Sequence, residues 1–150
     1  MTLIFKATEA PTESKQIVVS FSGRWKERLS SQSIQYVFRK RIPKSIEPAM
    51  MFIYVGTPVC QIIGRAKIVR FGSMSLKDAL SVCDKAQISP EELKAYMAQS
   101  DQIGFYQIEP ECIFNQPISL KTLSEELNFH PPQSFVHVSK TAALQLNKYR

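Results

Sequence analysis

The densest cluster of chemistry-bearing side chains in the sequence lies between Arg24 and Lys44, where Arg24, Lys26, Arg28, Arg39, Lys40, Arg41 and Lys44 are opposed only by Glu27. Cations at this density suit a phosphate-facing surface, because each can form a charge-assisted hydrogen bond with an anionic oxygen. A solvated helix face followed by an exposed strand end would carry the same charges, and both readings stay open. Arg39 is the strongest candidate for a site. Its planar fork could hold a phosphate or a base edge through two parallel bonds, or pair inside the fold with a carboxylate or backbone carbonyls. Lys40 and Arg41 would add charge on either side of the chain. Trp25 could stack on a flipped or single-stranded base, a contact worth about 1 to 3 kcal/mol, or anchor a short helix on the core.

Other chemistries find less support. His130 and His137 are seven positions apart with Pro131 and Pro132 between them, and no cysteine lies near at metal-ligand spacing, so no metal site is expected. His130 reads as a loop residue and His137 as a strand position facing solvent or lining a cleft. There is no glycine-rich phosphate loop and no Gly-x-Ser-x-Gly elbow, and no cofactor is expected. The carboxylate pairs Glu91-Glu92 and Glu125-Glu126 read as solvated helix faces. Cys60, Cys83 and Cys112 are odd in number and sit beside apolar residues, which suggests reduced, buried thiols.

The elements that must position these groups can be read from periodicity. A chain of 150 residues with 44% hydrophobic content can bury one sizeable core. Residues 1–14 form a polar leader expected to fray, and 15–150 a single domain. The leader lacks the apolar run of a secretion signal or membrane span, which predicts a cytoplasmic protein. The net charge of +6 is uneven: residues 1–70 hold twelve Lys or Arg against four Asp or Glu, and 71–150 seven against nine. Lys15 to Ser22 reads as a strand leading through Gly23 into a helix over 24–31, and Gln35 to Arg39 as a second strand stopped by Pro43. Ala49 to Val55 and Cys60 to Phe71 should pair as a hairpin, with Gly64 at a bulge. Ser75 to Ala86 has helical spacing, and Ser89-Pro90-Glu91-Glu92 is a capping box that starts another helix. Strands over 104–113 and 134–138 and helices over 120–127 and 140–148 complete the chain. Such an order predicts an α+β fold: a small closed sheet of five or six strands with short helices inserted between them.

Three segments carry a resemblance to a known family. Phe38-Arg39-Lys40-Arg41, Ile53-Tyr54-Val55-Gly56-Thr57-Pro58 with Ile63-Gly64 downstream, and Pro131-Pro132-Gln133-Ser134-Phe135 follow the order and approximate spacing of the ASCH domains, members of the PUA-like β-barrel superfamily. The similarity spans roughly residues 15–138. It implies a compact barrel with a cleft for a base or nucleoside, in which the hydroxyls of Ser20, Tyr54 and Thr57 could supply hydrogen bonds; Tyr54 reads equally as a core tyrosine with its hydroxyl at the surface. It also implies that Gln133 and Ser134 sit on a rigid extended segment, with Gln133 either reading a base edge or belonging to a tie that closes the barrel through Phe135.

The sequence departs from the family where the enzymatic members keep their chemistry. The ASCH amidohydrolases acting on a modified cytidine use a Lys and a Thr upstream of the Arg, and a Glu before the second inserted helix. Counting back from Arg39, this chain has Gln32, Ile34 and Val37, and the Glu region reads Lys85-Ala86-Gln87. Ile34 cannot take a proton and Val37 has no nucleophilic oxygen, so that hydrolysis cannot run from these positions. The leading expectation is therefore a binding module with RNA or another nucleic acid as partner and no catalytic residue. The alternatives are a nucleoside-directed enzyme using other residues, such as Lys26, Ser31 or Ser33, and a regulator that binds a protein or small effector.

Overall fold

The computed structural model describes residues 13–44 and 47–150, and the expected fraying of the leader lies outside them for residues 1–12. Its order is β1 (Glu13–Phe21), a 3-10 turn (Gly23–Trp25), α1 (Lys26–Ser30), β2 (Tyr36–Arg39), β3 (Met50–Val55) and β4 (Gln61–Ser75). After these come α2 (Leu76–Val82), a 3-10 turn (Cys83–Ala86), α3 (Pro90–Met97), β5 (Gln102–Ser119), α4 (Leu120–Leu127), β6 (Phe135–Ser139) and α5 (Lys140–Leu146). The expected α+β architecture, with short helices between strands, is what the chain adopts.

The six strands among the described residues belong to one mixed sheet in the order β2-β5-β4-β3-β1-β6, with β1 parallel to β3 and the other pairs antiparallel. In a flat sheet β2 and β1, four places apart, would be separated by about 19 Å at the usual strand spacing. Instead Arg39 Nη2, at the end of β2, donates to the Ser20 carbonyl of β1 at 2.8 Å. The sheet must therefore roll until its ends meet. Side chains join them, since Ser134 Oγ, just before β6, donates to the Arg41 carbonyl after β2 at 3.0 Å, and Ser20 Oγ holds that same segment to β1 through the Pro132 carbonyl at 2.7 Å.

Rolling gives the sheet two buried faces, which is why its strands are nearly continuous apolar runs. Ile17, Val19 and Phe21 of β1 meet Val37, Met51, Ile53, Val55, Ile63, Ala66, Ile68, Tyr106 and Ile108 inside the barrel. On the outer face, Val18, Phe52, Tyr54 and Val138 pack against Leu123 and Leu127 of α4 and Ala142, Ala143 and Leu146 of α5. A third cluster sets Ala79, Cys83, Leu93 and Met97 of the inserted helices over Tyr36 and Phe38 of β2.

Serine marks the start of four helices. Ser75, Ser89, Ser119 and Ser139 each accept a hydrogen bond from the backbone N–H three residues on, and three of them are also the last residue of a strand. Each cap satisfies a donor that the first helical turn leaves open, so the chain can pass from strand to helix with no loop.

The long pair β4 and β5 exceeds the expected strands over 60–71 and 104–113. Their register runs from Gln61 opposite Ser119 to Ser75 opposite Gln102. The segments beyond those bounds include Ser73, Asn115 and Pro117, residues of low strand preference. Pairing along a long partner and three register shifts accommodate them. One shift lies at the expected bulge, between Ile62 and Gly64. A Cβ at Gly64 would lie 2.3 Å from the Cys112 carbonyl oxygen, so only glycine lets the two backbones approach. Gly64→Ala should therefore lower unfolding free energy by about 2 to 3 kcal/mol, read from the urea midpoint at unchanged slope. A loss under about 0.5 kcal/mol would show that the approach is not sterically limited.

Candidate functional site

β2 pairs with β5 along one edge only. Beside its other edge lies a cleft of about 160 Å3, lined by Phe21, Arg24, Trp25, Ile34, Tyr36, Val37, Phe38, Arg39, Ala86, Ile88, Glu92 and Tyr96. The wall is built by the end of β1, the 3-10 turn after it, β2, the turn after α2, and α3. That turn at Gly23 is held hard against the loop after β3, since a Cβ there would lie 2.2 Å from the Thr57 carbonyl oxygen. An apolar cavity of about 150 Å3 holds one benzene ring. The cleft is therefore sized for a single flat ring with its substituents.

Arg39 supplies the charge. Nη1 donates to the Phe38 carbonyl at 2.9 Å, Nη2 to the Ser20 carbonyl at 2.8 Å, and the guanidinium carbon lies 4.6 Å from the centroid of the Phe21 ring. Burial lowers its pKa from the ordinary arginine value, opposed by Tyr96 and Tyr106, and the group stays cationic. No carboxylate pairs with it among the described residues. Two of its five N–H groups are used on neutral carbonyls, so donors and charge remain for a ligand.

The rim is cationic and aromatic. Arg28 and Arg24 lie 4.9 and 5.5 Å from the centroid of Trp25, and Lys40 Nζ lies 5.0 Å from that of Tyr96. The Lys40 N–H donates to the Tyr96 hydroxyl at 3.2 Å, which ties the end of β2 to α3. Arg28 Nη1 donates to the Gln87 carbonyl at 2.8 Å, fixing the opposite wall. Glu92 is the one acidic residue in the lining, and it pairs with Arg24 at 3.3 Å. Its place in Glu91-Glu92 predicts a solvated helix face, and its partner is invisible locally because the pair joins residues 68 positions apart.

Of the residues singled out in the sequence, Arg39 and Trp25 line the cleft, and Lys40 stands at its rim. Ser20, Ser134 and the Arg41 carbonyl form the seam described above, with both hydroxyls bonded to carbonyls. Gln133 is exposed on the same segment. Tyr54 and Thr57 do not reach the cleft. Tyr54 faces outward, 3% exposed, with its ring 5.4 Å from Phe129, because alternation along β3 turns Ile53 and Val55 inward instead. Thr57 is exposed near Cys60. His137 is buried beside Phe135, not solvent-facing, and its Nδ1 has no hydrogen-bond partner. Cys83 is buried as expected, whereas Cys60 and Cys112 are half-buried. Among the described residues, no group of three or more His, Cys, Asp or Glu is placed to hold a metal ion.

Phe21, Tyr36, Phe38 and Tyr96 escaped the sequence reading as cleft residues. The alternation of Tyr36 and Phe38 was visible, but the helices that meet them come some fifty residues later. Ile34, Val37 and Ala86, which stand where the resemblance implies polar groups, line this same cleft.

The rolled mixed sheet of six strands, with short helices between them, places the chain among the PUA-like α+β folds, and its particular form is ASCH-like. It is similar to the crystal structure of ASCH from Zymomonas mobilis, with a TM-score of 0.81 and 25% identity over 91% of this chain and 96% of that one. A serine-to-alanine variant of the same protein matches with a TM-score of 0.81 and 22% identity, covering 93% and 99%. A more distant likeness, with a TM-score of 0.56 and 10% identity, joins 99% of this chain to 98% of the N-terminal domain of McrB from Staphylothermus marinus. No protein-family profile and no curated protein sequence matches the chain. Among the described residues, no helix is long and apolar enough to cross a membrane.

Burial pushes the Tyr54 hydroxyl up to about 12, helped by its hydrogen bond with the Cys60 thiol, and burial raises Tyr106 as well, partly offset by Arg39. A phenol raised in the folded state binds its proton more tightly than in the unfolded chain. The stabilisation is complete below the ordinary value of 10.0 and is lost as pH rises through about 12. The ultraviolet difference between wild type and Tyr54→Phe should show one phenolate with its midpoint near pH 12, and a midpoint near 10 would place the hydroxyl in water.

Proposed function

We propose that the chain is a non-catalytic binding module that takes a nucleobase or nucleoside, free or within single-stranded RNA, into the cleft beside β2. The observation that carries this reading is Arg39: a charged guanidinium among Phe21, Trp25, Tyr36 and Phe38, bonded only to neutral carbonyls. Apolar walls favour the faces of a base, and a fixed cation favours its carbonyl edge or a phosphate, which is how small-molecule sites gain affinity and orientation. Around it, Arg24, Arg28 and Lys40 supply charge for a backbone.

The same lining argues against turnover of the amidohydrolase kind. Ile34, Val37 and Ala86 offer no base, nucleophile or acid where the resemblance calls for them. Binding without hydrolysis is what remains for a cleft that keeps its arginine and aromatic walls. A cytoplasmic location belongs to this proposal, since RNA is the partner.

Fluorescence anisotropy of a labelled single-stranded RNA, with a duplex of matched length as comparator, tests the reading. Three rim cations predict that raising salt from about 50 to about 200 mM weakens single-strand binding about twentyfold through counterion release. Arg39→Ala should weaken it by at least about tenfold, the cost of a charge-assisted contact. Because Arg39 also joins β2 to β1, circular dichroism must show that variant folded, and Arg28→Ala, outside the seam, should weaken binding about threefold. No binding at low salt, or binding indifferent to salt and to both variants, would overturn the proposal.

A further inference from the structure

An ion pair stands in the lining of the cleft. Arg24 comes from the turn after β1 and Glu92 from α3, so their contact at 3.3 Å spans the opening between two walls. Both side chains are exposed, at 66% and 40%, and an ion pair in water is weak and easily exchanged. Arg24, which lines the cleft, and Arg28, beside it, lie 5.5 and 4.9 Å from the centroid of Trp25, so both cations neighbour the same cleft ring. Arg39 stands deeper, against Phe21. The cleft thus has an inner cation at its aromatic wall and an outer pair at its lip, with Glu92 occupying one member of that pair.

We infer that Arg24 and Arg28 form a phosphate subsite and that Glu92 is its built-in competitor, so that the cleft selects a nucleoside carrying a phosphate over the bare nucleoside. This rests on the base-binding reading above and gives it a substrate class. The base enters between the aromatic walls and meets Arg39. Its phosphate takes Arg24 from Glu92, exchanging a single carboxylate for an anion with more acceptor oxygens, and the positive charge of Arg28 beside Trp25 favours the exchange. Glu92 then faces solvent. In the empty cleft the carboxylate neutralises Arg24, and it repels anions that bring no base to compensate for the lost pair.

Isothermal titration calorimetry with the four ribonucleosides, their 5′-monophosphates and inorganic phosphate tests this at low salt. The best-bound base should bind about tenfold more tightly as the monophosphate than as the nucleoside. Glu92→Gln should raise the ratio of monophosphate to nucleoside affinity by a further three- to fivefold, about the worth of an exposed pair. Arg24→Gln should bring that ratio down to within about twofold of one. Inorganic phosphate should bind far more weakly than any of these.

The possible failures separate. A nucleoside that binds with no gain from its phosphate, in wild type and in Glu92→Gln alike, overturns the subsite and leaves the base-binding cleft standing. Inorganic phosphate binding as tightly as the monophosphate overturns it in favour of a free-anion site. No binding of any nucleoside or monophosphate overturns the subsite together with the reading of the cleft.

Discussion

β2 and β1 have no backbone ladder between them, yet the barrel and the cleft both depend on their meeting. Arg39 makes the junction. Its side chain reaches across the end of the sheet to the Ser20 carbonyl, while Ser20 and Ser134 fasten the segment before β6 to the same region. Hydrogen bonds to a charged group are worth about 1.5 to 3 kcal/mol each, and a cation over an aromatic ring adds about 1 kcal/mol. Desolvating a guanidinium costs several kcal/mol in the other direction. The junction therefore holds with little surplus, and an added anionic partner would strengthen it.

On the proposed reading one residue serves two ends. If the carbonyls of Ser20 and Phe38 satisfied Arg39 fully, it would be a structural tie and nothing more. They satisfy two donors and leave its charge without a counter-ion among the described residues. A ligand acceptor placed in the cleft would complete the arginine's coordination and tighten the closure of the sheet at once. On the proposed reading, binding and barrel stability are coupled, and a bound ligand should protect the seam as well as fill the cavity.

Much of the fold was legible because its signals are local. The strands of β1 and β3, the Gly64 bulge, the helix over 120–127 and the serine–proline start at residue 89 follow from neighbouring residues alone. The candidate site was legible in part. Arg39 and Trp25 stand out by type and position, whereas Glu92 and Tyr96 become cleft residues only through packing across the chain. Tyr54 shows the opposite limit. Ile53, Tyr54 and Val55 are all buried, so alternation could not reveal which face turns inward until the helices covering the outer face were in place. The resemblance supplied the expectation that the hydroxyls of Ser20 and Tyr54 line a pocket, and the geometry instead gives one to the seam and the other to the outer core.

Chemical-shift mapping of the isotopically labelled protein with a ribonucleotide tests most directly whether the cleft beside β2 is where this chain binds. The account predicts that backbone amides shift in residues 21–25, 34–40, 86–88 and 92–96, with the Arg39 side-chain resonance moving as they do. Shifts centred instead on residues 54–60 and 130–134, or spread evenly over the basic surface, would contradict it.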